Sequence, residues 1–96
     1  MRRATDGETL TYDITFLSPV TGLGLPLDGY DVSAVTIAAS DVTPATPTIS
    51  RTDASTRHVR IPTAGLGGHP CRTRVAATDP LTSNVYSVDI PYYVDA

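Results

Sequence analysis

Proline or glycine interrupts this chain so often that no window keeps apolar residues at the i, i+3, i+4 spacing of an amphipathic helix. With 8 prolines and 7 glycines among 96 residues, what lies between the interruptions suits short strands. Thr, Val, Ile and Tyr recur there, the types that pack well on a pleated, half-buried surface. A chain of this length has room for one core, because domains of this size bury only about 60–65% of the surface exposed by the unfolded chain. One all-β domain spanning residues 1–96 is therefore expected.

Six strands are readable from alternation. In Thr9–Phe16, Leu10, Tyr12, Ile14 and Phe16 alternate with Thr9, Thr11, Asp13 and Thr15, so one face is dry and one wet. Asp31–Ser40 places Val35, Ile37 and Ala39 on one face and Val32, Ala34 and Ala38 on the other, so both have the character of covered surface. Thr48–Thr52 and Arg57–Pro62 read as a hairpin around Asp53-Ala54-Ser55-Thr56, residues that suit a turn. Cys71–Thr78 sets Cys71, Thr73, Val75 and Ala77 against Arg72, Arg74 and Ala76. Val85–Val94 alternates most regularly, with Tyr86, Val88, Ile90, Tyr92 and Val94 facing one way. Pro91 has no amide to donate, which predicts a free edge or a bulge there. Residues 1–8 are charged and polar and read as a flexible arm. Strands at this spacing predict an immunoglobulin-like β-sandwich of about six to seven strands, without the Cys, Trp, Cys pattern of antibody domains.

Two features qualify as candidate interaction surfaces. Leu17–Tyr30 carries five breakers yet also Leu23, Leu25 and Leu27. Such a loop either plugs the end of a sandwich with its leucines or exposes them to dock a partner. On the last strand Tyr92 and Tyr93 point to opposite faces, one into the core and the other available as a contact anchor. Pro91 marks the edge beside it.

The residues that could carry chemistry are few. A hydrolase needs a nucleophile, a base and an orienting group, and the only histidines are His58, on the polar face of a strand, and His69, in a glycine-rich turn. Cys71 is the single cysteine, which excludes an intrachain disulfide and leaves His69-x-Cys71 short of the four ligands of structural zinc. Gly65-Leu66-Gly67-Gly68 lacks the Lys and the following helix of a phosphate loop. No catalytic residue, metal or cofactor is expected. A net charge of -3 without a basic stripe argues against nucleic acid. No apolar run approaches the roughly 20 residues of a membrane span, and no signal peptide is readable. Every basic side chain is Arg, as a GC-rich genome or a use of bidentate carboxylate pairing would give.

From Leu10 to Val94 the pattern resembles small tailed-phage virion proteins of the fiber-tail adaptor or neck type. The resemblance rests on Leu10-Thr11-Tyr12-Asp13-Ile14-Thr15-Phe16, then Val32-Ser33-Ala34-Val35-Thr36-Ile37 before a Pro-rich break, then Thr48-Ile49-Ser50. It continues through Val59 and Ile61 to Thr63-Ala64-Gly65, the alternating Thr and Val between Arg72 and Thr78, and the final alternating strand. The turn Asp79–Asn84 departs from the glycine turn usual before the last strand, and the second strand lacks Trp. The resemblance implies a multicopy structural protein of the virion, touching capsid, portal, neck or tail-fiber proteins, as a head-tail or fiber adaptor. A capsid decoration or cement protein is the alternative within that class, and a carbohydrate-binding adhesion module lies outside it.

Overall fold

The computed structural model describes residues 1–96 as seven strands in two sheets, with no helix and therefore none long and apolar enough to cross a membrane. They are β1 (Arg2–Thr5), β2 (Thr9–Thr15), β3 (Asp31–Ile37), β4 (Thr48–Arg51), β5 (Thr56–Pro62), β6 (His69–Thr78) and β7 (Val85–Asp95). One sheet has the order β1-β7-β6-β3 and the other β2-β5-β4. All neighbours are antiparallel except β1, which runs parallel to β7 with Arg2 opposite Tyr92 and Thr5 opposite Asp95. The molecule is elongated, 42 × 21 × 20 Å.

The period-two pattern explains the core between the sheets. Leu10, Val59 and Ile61 come from the three-stranded sheet and Val75, Ala77, Tyr92 and Val94 from the other, all buried. Leucines from irregular connections close both ends: Leu27, from the β2–β3 connection, and Leu66, from the glycine-rich turn after β5. Tyr92 brings a hydroxyl into this core, where it shares a hydrogen bond with Thr73 (2.9 Å), which shares another with Thr36 (2.9 Å). Burial pushes the Tyr92 phenol up, against the opposing effect of the Thr73 bond. No fully buried side-chain polar atom lacks a partner, as a well-specified interior requires.

Two expectations are corrected, and a third is narrowed. The N-terminal residues are not a flexible arm: Arg2–Thr5 form β1, with Ala4 buried and the Arg3 guanidinium paired to Asp95. Such a strand carries no local signal, since β1 is fixed by a partner about ninety residues away. The Val35 face of β3 is open, with Val35 itself 55% exposed. Of the two alternatives expected at Pro91, the free edge holds and the bulge does not, because the β6–β7 register runs through it opposite Arg72. On its other side β1 pairing begins only at Tyr92, so Val85–Pro91 is an open edge.

Three of the seven arginines pair as bidentate forks. Arg51 reaches both oxygens of Asp28 (2.9 Å each), Arg74 those of Asp89 (2.9 and 3.2 Å), and Arg3 those of Asp95.

Candidate functional site

Register places three connections at one end of the sandwich. Thr15 lies opposite Thr56, Arg51 opposite Arg57, and Asp31 and Val85 both opposite Thr78. The β2–β3, β4–β5 and β6–β7 connections therefore leave from the same side. Hydrogen bonds tie them into one surface: Phe16 N donates to Ser55 O (3.1 Å), Leu27 N to Ala54 O (2.7 Å) and the Tyr30 hydroxyl to Asp79 Oδ2 (3.3 Å).

Two tight turns belong to this end. In the first, Leu17 bridges Gly24, Ser18 N donates to Leu23 O (2.7 Å) and Gly22 N to Ser18 O (2.8 Å). Gly22 takes the positive φ of 72° that this turn needs. In the second, Asp79 N donates to Asn84 O, Ser83 N to Asp79 O and Leu81 N to the Asp79 carboxylate. Ser83 there is the one non-glycine residue at positive φ.

These turns hold apolar side chains out into solvent. Leu17, Val20, Leu23, Leu81 and Val85 are each at least 60% exposed, Val20 and Leu81 about 90%. They make up five of the eight large apolar residues exposed anywhere on the molecule. Scattered apolar residues are ordinary on a protein surface, whereas their concentration on hydrogen-bonded turns makes this end the candidate contact surface.

The surroundings are acidic. Asp28, Asp31, Asp53 and Asp79 lie at this end, facing two guanidinium groups, Arg51 and Arg57, that both bond Asp28. The Arg51 bond holds the Asp28 carboxyl below the usual range. Amides of Ser55 and Leu81 do the same for Asp53 and Asp79, so all three stay ionised at neutral pH. Arg57 is buried and fastens the base of the surface, donating to Asp53 O (2.7 Å) and Thr56 O (3.0 Å).

The five candidate residues divide. Leu23 is exposed at the tip, but Leu25 and Leu27 are buried and belong to the core, because their amides dock on Phe16 O and Ala54 O along the end of the sheet. Tyr93 is only partly exposed, since the Arg3 guanidinium lies over its ring at 4.7 Å from the centroid. Pro91 lines a groove at the end of the four-stranded sheet, where β3 stops, with Ile37, Ala38, Ala39, Pro70, Cys71 and Arg72. This groove of about 440 Å³ is the one cavity of the molecule. Sequence reasoning missed Leu81 and Val85; an apolar residue inside the otherwise polar turn Asp79–Asn84 was the available signal.

His58 faces outward from the three-stranded sheet with Nδ1 2.9 Å from Asp13 Oδ1. Ser50 lies opposite it on β4. Serine, histidine and aspartate thus sit side by side on three strands, but none of them lines the groove, which belongs to the other sheet. Burial pushes the Cys71 thiol up, away from the reactive thiolate. No three His, Cys, Asp or Glu side chains converge as a metal site would require. No family model matches the chain, and no curated protein matches it.

Proposed function

We propose that this chain is a non-catalytic assembly domain with an immunoglobulin-like arrangement of strands, which docks a partner protein through its loop end. The carrying observation is the concentration of Leu17, Val20, Leu23, Leu81 and Val85 on two rigid turns at one end, above an acidic rim. None of the five belongs to the buried core, so folding does not require their apolar character. Contact with a partner does. The strand order, with β1 parallel to β7 in one sheet and β2-β5-β4 as the other, supports reading the domain as immunoglobulin-like, a scaffold that presents loops from a rigid body.

The sequence resemblance supplies the setting: the virion of a tailed phage, where the domain acts as an adaptor at the head-tail neck or at fiber attachment. Many copies on a symmetric particle bind strongly through multivalency, so one modest apolar surface per copy suffices. The test is gradient purification of particles from cells producing the chain. Wild type is expected to sediment with particles, and a Val20→Ser, Leu23→Ser, Leu81→Ser variant to stay behind with an unchanged melting temperature. Equal incorporation of the variant, or absence of the wild type from particles, would overturn the reading. So would hydrolytic turnover that disappears in His58→Ala.

A further inference from the structure

The loop end has a complement on the same molecule. The groove lies near the Ile37 end of β3, whereas the loops leave from its Asp31 end, so roughly 20 Å of strand separates them. It forms because β3 stops opposite Arg72 while β6 continues to His69, leaving a notch floored by Ile37, Ala38, Ala39, Pro70 and Pro91. Its volume of about 440 Å³ falls in the range that receives compact organic groups. The notch is shallow and open to solvent, so what it can receive is one or two aliphatic side chains projecting from a tight turn.

Charge points the same way. Arg72 is the one charged residue lining the groove, and it is weakly engaged: its Nη1 lies 3.8 Å from Asp89, whose carboxylate is already held by Arg74 at 2.9 Å. An exposed guanidinium beside an apolar notch fits an apolar knob rimmed by carboxylates. The loop end carries both elements, with Val20 and Leu23 exposed on one turn and Asp31, Asp53 and Asp79 in or beside its connections, Asp28 being already held by Arg51 and Arg57.

We infer that the loop end of one copy docks in the Ile37–Pro91 groove of the next, so that the chain associates head to tail. This names the partner of the docking surface and rests on the assembly reading given above. Knob and groove are different surfaces on opposite halves of the molecule, so the contact is heterologous and propagates into a ring or a filament rather than closing as a two-fold dimer.

Complementation between two defective variants tests this. Val20→Glu with Leu23→Glu spoils the knob and leaves the groove; Ala39→Trp fills the groove and leaves the knob. Sedimentation velocity of the wild type up to about 1 mM, the effective concentration typical of tethered partners, is expected to show a mass that climbs with concentration. Each variant alone is expected to stay at the 10.1 kDa monomer mass, and an equimolar mixture to give a dimer that grows no further. Arg72→Glu, at an exposed position that should not disturb folding, is a second groove variant and is expected to weaken wild-type association about tenfold through charge reversal. A wild type that remains monomeric overturns the inference, as does a mixture that fails to pair. Particle incorporation that still depends on Val20, Leu23 and Leu81 would then leave the docking reading standing with a different partner.

Discussion

Truncating the leucines of the β2–β3 connection one at a time separates the side chains that hold the fold from those it leaves exposed. Leu23, Leu25 and Leu27 are two residues apart, identical in chemistry, and 71%, 8% and 1% exposed. Leu27→Ala removes a side chain that closes one end of the core. Buried Leu→Ala changes cost about 2.7–5 kcal/mol depending on how far the cavity collapses. Leu27 closes the end of the core from an irregular connection rather than from a strand, where neighbouring loop can close part of the space, so a value near the low end, about 3 kcal/mol, is expected. For a domain of this size that lowers the melting temperature by about 12–24 °C, at about 4–8 °C per kcal/mol. Leu25→Ala should fall slightly below this. Leu23→Ala removes a solvated side chain and should stay within about 0.5 kcal/mol of wild type. Urea titration followed by circular dichroism, with thermal melts alongside, measures all three. If Leu23→Ala costs as much as Leu27→Ala, the connection is packed as a unit and the division into core and contact residues is wrong.

Other expectations follow from the same contacts. Tyr92→Phe removes the hydroxyl bonded to Thr73 and should cost about 1 kcal/mol; a double-mutant cycle with Thr36→Val should show coupling, because both reach Thr73. Ala4→Glu places a carboxylate at a buried position of β1 and should raise hydrogen-exchange rates of amides in Tyr92–Asp95 more than elsewhere; unchanged rates would mean that β1 does not hold β7. Asp28, Asp53, Asp79 and Asp89 all have lowered folded-state pKa values, owing chiefly to the Arg51 bond, the Ser55 amide, the Leu81 amide and the Arg74 bond respectively. Their stabilisation is complete above the unfolded value of about 3.9 and is lost as pH falls through the lower folded values. Acid unfolding monitored by circular dichroism should therefore steepen below about pH 4, and Asp28→Asn should flatten that limb.

Local alternation made six of the seven strands legible, because each carries its own inside and outside. Tyr86, Val88, Ile90, Tyr92 and Val94 do point to one face of β7, although Val88 remains 37% exposed. What could not be read depended on distant partners. β1 has no apolar rhythm and exists through β7. Leu25 and Leu27 share a parity with Leu23, yet only the first two turn inward, a distinction made by backbone bonds to Phe16 and Ala54 that no periodicity encodes. The candidate surface was half legible: Leu23 was identified, while Leu81 and Val85 join it only because the fold brings the β6–β7 turn alongside the β2–β3 loop.

The parallel pairing of β1 with the last residues of β7 decides where anything fused to this domain would sit. Arg2 and Asp95 are both at the end of the sandwich opposite the loops, so a tag or neighbouring domain attached at either terminus leaves the Val20–Leu23 tip free. The same attachment lies on the side of the groove. Handle-free material is therefore the form in which the proposed head-to-tail association should be measured.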